Sequence, residues 1–149
     1  MKHTGHADYA LRVLMYLRVA PGRRGSVAGM ADAHRVSRHH LDKVVQHLAS
    51  AGIVETSRGR GGGVRLVRDP STITVGDVMR AMESDHAVVE CLGPARYCRI
   101  AGVCGARSVF ARALDAYFAV LDGATLEEIA ANDEGLRGAL GMIHGIAGQ

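Results

Sequence analysis

The chain has no tryptophan, only two phenylalanines, three prolines and three cysteines among its 149 residues. With so few aromatic rings, a core must be built from Leu, Val, Ala, Ile and Met. Apolar residues make up 48% of the chain, enough for one domain, or one domain with an appended helix. No stretch approaches the roughly 20 apolar residues that a membrane helix needs. The N-terminal MKHTGHADYALRVLMYLRVA spaces its apolar residues helically and does not cluster them as a signal peptide does. A cytoplasmic protein without a membrane partner is expected. In that reducing compartment, three cysteines argue against disulfides and for metal or thiol chemistry. The formal charge is only +3, so where the cations sit matters more than their sum. Paired nucleophile and base groups are also lacking: the eight histidines are scattered or gathered on one helix face, which argues against an enzyme.

What is present reads as a succession of short elements. Thr4 can cap a first helix carrying Ala7, Ala10, Leu11, Leu14 and Leu17, ended by Pro21 and Gly22. Ser26 can cap a second helix through about His34, and Ser37 a third with Leu41, Val44, Val45 and Leu48 on one face. Gly52 stands where a helix end wants a left-handed residue. Two helices of this size joined by a tight turn form a helix-turn-helix. Next, Ile53 to Thr56 and Val64 to Val67 flank a glycine-rich tip, the pattern of a hairpin. A hairpin in that place is the wing of a winged helix. Thr74 with Asp77, and Thr125 with Glu128, resemble capping boxes. A long helix from Ser108 bears Phe110, Leu114, Tyr117, Phe118 and Leu121 and stops at Gly123. The fold class expected is mainly α with a small β-hairpin. Residues 1–83 form the winged unit, 84–107 a cysteine-bearing loop, 108–132 the long helix and a short C-terminal helix, and 133–149 a mobile or weakly helical tail.

The third helix presents Arg38, His39, His40, Lys43, Gln46 and His47 opposite its apolar stripe. These donors are long enough to reach base edges and phosphates in a major groove. The wing tip adds Arg58, Gly59 and Arg60, with Arg65 and Arg68 on the returning strand. Arginines on a narrow glycine-rich tip suit the minor groove, where negative potential is greatest. Each feature alone could be a solvated surface; together and in this order they favour double-stranded DNA as partner. GRGGG lacks the Lys-Ser/Thr of a phosphate-binding loop and opens no helix, so a hairpin turn explains it better.

Cys91 and Cys98 are separated by six residues, Cys98 and Cys104 by five. These gaps are too wide for a Cys-x-x-Cys motif or a zinc knuckle, and a loop with such spacings can spread thiolates over the separate irons of a cluster. Arg96, Arg99 and Arg107 are interleaved, and their charge would offset that of thiolates. Structural cysteines, a zinc site and a thiol redox switch remain open alternatives on spacing alone.

Three stretches together resemble the Rrf-type family of winged-helix iron–sulfur transcription regulators, and within it the nitric-oxide-responsive repressors: HADYALRVLMYL; VSRHHLDKVVQHLASAGIVETSRGRGGGVRLVRDPSTITVGDVMRAME; and the three-cysteine loop followed by a long helix. The resemblance covers about residues 1 to 132. It implies a homodimer built largely on the long helix, binding to partly palindromic promoters, and a cluster held by Cys91, Cys98 and Cys104, most simply 4Fe-4S with 2Fe-2S as the other form. It further implies Asp8 of the partner subunit as fourth ligand, with His6 and His3 as nearby competitors. An oxygen ligand is more easily displaced than thiolate, which suits iron that must meet nitric oxide; cluster damage would then release DNA. Asp8 could equally serve only the helix dipole. His39, His40 and Lys43 match positions that read bases in the family, and Ser37, Arg58 and Gly59 match backbone and minor-groove contacts. The iron–sulfur-assembly branch carries a histidine three residues after its last cysteine; here Arg107 stands there, which cannot ligate iron. Iron-responsive rhizobial relatives share the cysteine triplet, so iron or redox state remains open as the signal.

Overall fold

Apolar residues at three- and four-residue steps give the first helix, α1 (Gly5–Val19), a continuous inner stripe: Ala7, Ala10, Val13, Leu14 and Leu17 are buried. In the computed structural model, which describes residues 5–94 and 98–142, α1 is the central strut. Thr4, His3 and Arg96 lie outside the described residues. A 3-10 turn from Pro21 to Arg23 ends α1. The Ser26 hydroxyl then accepts the Gly29 N–H at 3.0 Å and opens α2 (Val27–His34). Arg35, in the left-handed region at φ 53°, makes the turn into α3 (Arg38–Ser50). The stripe Leu41, Val44, Val45 and Leu48 is buried against α1. Ser37 holds the N-cap position, but its hydroxyl makes no capping bond. Its carbonyl instead accepts from the His40 and Leu41 N–H groups, so the backbone alone starts the helix. Gly52 follows α3 at φ 67°, as the sequence requires.

The strands of the hairpin, β2 (Val54–Ser57) and β3 (Gly63–Leu66), each lie one residue nearer the tip than expected, and the hairpin belongs to a three-stranded antiparallel sheet. The added strand, β1 (Arg24–Gly25), pairs with the other side of β3. Two residues carry no periodicity, so nothing in the sequence marks them. Their approach depends on Gly63, whose φ is 154° and where a Cβ would stand 2.7 Å from the Gly25 carbonyl oxygen.

Both capping boxes form. Thr74 and Asp77 open α4 (Val75–Met82), and Thr125 and Glu128 open α6 (Leu126–Ile129). The two boxes are stitched together: Leu126 N–H donates to the Ile73 carbonyl at 2.8 Å, and Val75 N–H to that of Ala124 at 2.9 Å. The long helix α5 (Gly105–Asp122) begins at Gly105, not Ser108, with Cys104 in the N-cap position. Its first turn has no apolar stripe to betray it. None of its residues is buried in the single chain, and Val109, Phe110 and Val120 are 54%, 42% and 72% exposed.

The tail expected to be mobile or weakly helical contains α7 (Asp133–Ala139), capped by the Asn132 side chain accepting from Gly135 N–H at 3.0 Å. It is tied to α1 by Arg18, which donates from Nε to Glu127 at 2.8 Å and from Nη1 to Asp133 at 3.0 Å. Residues 143–149 lie outside the described residues.

Candidate nucleic-acid interface and cysteine pocket

Because Leu41, Val44, Val45 and Leu48 fix one side of α3 in the core, the other side must face solvent. Ser37, Arg38, His39, His40, Lys43, Gln46 and His47 are all exposed. At the tip between β2 and β3, Arg58, Gly59 and Arg60 are exposed as well, with Gly59 at φ 89°. The α3 face and the wing thus present donors from elements packed on one core. Among the described residues, none of Arg38, Lys43, Arg58 and Arg60 is paired with an acid.

Arg65 lies on the returning strand and Arg68 two residues beyond its end, not on it as expected, and both differ from the arginines of the tip. Register places Arg65 opposite Glu55, and its Nε donates to Glu55 at 2.8 Å. Arg68 donates to the Thr72 carbonyl at 2.8 Å and lies 3.6 Å from Asp77. Both are engaged inside the protein. Arg24 braces the tip by donating to the Gly61 carbonyl at 3.0 Å. Side chains of α1 also reach the reading face: Tyr9 stacks on His40 with ring centroids 6.2 Å apart and planes 17° from parallel, and His6 meets His47 edge-on at 6.3 Å. These neighbours lie some 30 to 40 positions away in the chain, so no local pattern announces them.

The three cysteines come together. Cys91 sits in a 3-10 turn (Glu90–Leu92) after α4, Cys104 stands at the N-cap position of α5 without a side-chain capping bond, and Cys98 lies between; all are free thiols and partly buried. They line one concavity of about 310 Å³ with Val89, Arg107 and Phe110 among its walls. Arg107 Nε is 3.5 Å from the Cys91 carbonyl oxygen, so that residue borders the pocket as a cation. Among the described residues, no three of His, Cys, Asp and Glu are gathered closely enough to hold a single metal ion. Three thiols around one concavity are a donor set of the kind that ligates iron or zinc. Asp8 is not in that wall in the single chain. It lies in the first turn of α1 with its side chain 57% exposed, paired to Arg12 at 2.8 Å.

Comparison with known proteins adds a lineage to this geometry. The Rrf2 family model, described as an iron-dependent transcriptional regulator, matches residues 3–132. The transcriptional regulator NsrR of Bacillus subtilis is 43% identical over 144 residues, covering 95% of this chain and 99% of that protein. Among solved structures, CymR, the global cysteine regulator of B. subtilis, superposes with a TM-score of 0.71 at 32% identity, covering 88% of this chain and 97% of that one. IscR of T. potens, at 22% identity, shares the fold with a TM-score of 0.67, covering 99% and 94% of the two chains.

Proposed function

Because the chain belongs to the Rrf2 family of transcriptional regulators, we propose that it is a promoter-binding repressor whose Cys91, Cys98 and Cys104 hold an iron–sulfur cluster and whose hold on DNA weakens in nitric oxide. It is a regulator and not an enzyme. One observation carries the reading: the unpaired cations of α3 and the wing tip belong to one packed unit, and three thiols line one pocket between the Glu90–Leu92 turn and the start of α5. No helix among the described residues is long and apolar enough to cross a membrane, and we place the protein in the cytoplasm.

The repressor acts as a homodimer. Val109, Phe110 and Val120 give α5 an uncovered apolar side, and a second copy of α5 covers it. Two-fold symmetry then sets the recognition helices about one DNA turn apart, roughly 34 Å. His39, His40 and Lys43 read bases. Ser37, whose hydroxyl is not spent on capping, and Arg38 contact the backbone, while Arg58, Gly59 and Arg60 enter the minor groove. Asp8 of the partner subunit completes the ligand set.

A bound cluster, 4Fe-4S in our reading, supplies iron that reacts with nitric oxide. The chain's own part is geometric. Cys91 belongs to the segment leaving α4 and Cys104 to the start of α5, so a group held by the thiolates pins the winged unit to the dimer helix. Arg80 adds a second tie across α4 and α5, donating to both carboxylate oxygens of Asp122 at 2.6 and 2.8 Å. Without a group on the thiolates of Cys91, Cys98 and Cys104 the first tie would be missing, and two recognition helices at variable spacing would bind a palindrome less tightly. This is allostery as a difference in affinity between two states.

The similarity to CymR, named a global cysteine regulator, favours one second reading: a regulator of the same fold that uses its three cysteines as thiols. Iron and sulfide counts on protein purified without oxygen separate the two. About four of each per chain supports the proposal, and about two keeps the regulator with a smaller cluster. Colourless, iron-free protein that still binds DNA overturns the cluster reading in favour of thiols.

A further inference from the structure

We infer that DNA binding by this chain is coupled to proton uptake at His39 and His40, so that affinity for a duplex rises as pH falls. The inference rests on the DNA-binding reading and adds to it a response that does not involve the cysteine pocket. Histidine is the side chain whose charge changes between about pH 5 and 8, and here two stand side by side, exposed, on the first turn of the recognition helix, with ring centroids 6.3 Å apart. Tyr9 stacks against His40. Stacking uses the ring face and leaves the ring nitrogens, which lie in the ring plane, for another partner.

The surrounding charges set the direction of the effect. On α3 itself the neighbours are Arg38, Lys43 and Asp42; the preceding turn adds Arg35. From α1 come Tyr9, the His6 ring near His47, and Arg12, whose guanidinium lies 5.8 Å from the Tyr9 ring centre and is paired with Asp8. Cations outnumber acids on this surface. On DNA a proton on either ring faces phosphates. Protonation is more favourable in the complex, and by linkage the complex is more favourable when protons are abundant.

The test uses the full chain purified without oxygen, a fluorescent duplex of about 30 base pairs selected by this protein from a random pool, and constant salt, because affinity varies steeply with salt. Anisotropy titrations at about pH 8 and about pH 6 should differ by tenfold or more, tighter in acid, if both histidines gain a proton on binding. Heats of binding in buffers of different ionisation enthalpy should report net proton uptake. The H39Q/H40Q double variant, altered only at exposed positions, should keep its circular dichroism and, titrated against a duplex selected by that variant itself, lose most of the pH response. Equal wild-type affinity at both pH values overturns the inference, as does a double variant that retains the whole response. Failure to bind any duplex at either pH overturns the DNA-binding reading and the inference with it.

Discussion

Replacing Arg58 by alanine tests whether the wing touches DNA, and the structure sets the size of the effect. On α3 and the wing tip each protomer offers four exposed cations without an acid partner among the described residues, Arg38, Lys43, Arg58 and Arg60. A dimer that used all of them would neutralise about eight phosphates, giving a log–log salt slope near −7. Arg58→Ala removes one contact per protomer, so the slope should become shallower by about 1.8, with affinity falling roughly thirtyfold at ~0.15 M salt. Arg65→Ala is the matched control. Its guanidinium is already held by Glu55 at 2.8 Å, and the slope should move by well under one phosphate. Anisotropy titrations over a fourfold range of salt measure both variants. Arg58→Ala with wild-type slope and affinity would refute the wing contact; an equal change in both variants would refute the division of the wing arginines into free and engaged.

Other expectations concern stability and the cysteine pocket. Leu41, on the buried face of the recognition helix, is 1% exposed, so Leu41→Ala should cost about 2–5 kcal/mol in urea unfolding; a loss under about 1 kcal/mol would contradict the packing described. Burial lowers the pKa of His34, partly offset by its hydrogen bond to the Arg12 carbonyl. The unfolded chain takes up that proton below about pH 6.5 while the folded chain resists it. Stability present above that range should therefore be lost as pH falls through it. His34→Gln should flatten the dependence of Tm on pH there, and an unchanged slope would exclude His34 as its source. Cys98→Ser should abolish iron loading, and full loading would show the ligand set to be wrong. Asp8 and Arg12 form an exposed i,i+4 pair worth only about 0.5 kcal/mol. Asp8→Ala should therefore leave Tm nearly unchanged, and a loss of iron would report on ligation; unchanged loading and gas response would remove Asp8 from the mechanism.

Features written in local sequence were legible: the stripe of α1, the buried face of α3, the capping boxes of α4 and α6, and the glycine after α3. Each depends on residues within a few positions of one another. What escaped was set by partners far along the chain. β1 exists because β3 has a free edge and Gly63 allows close approach. α7 is held by Arg18, more than a hundred residues away. The reading face of α3 could be found as the complement of Leu41, Val44, Val45 and Leu48, but the placement of Tyr9 on His40 could not. Likewise four wing arginines look alike in sequence, and only the register of β2 with β3 separates Arg65 from Arg58. The cysteines gave a loop and a donor type; that they share one wall emerged only from the path between α4 and α5.

The most direct test of the central claim is a nitric oxide titration of oxygen-free protein bound to its selected duplex, with visible absorbance and anisotropy followed in one cuvette. The colour should bleach and the DNA should be released over the same range of nitric oxide. DNA that stays bound after the absorbance has gone, or a protein with no colour to lose, would contradict a cluster that governs DNA binding.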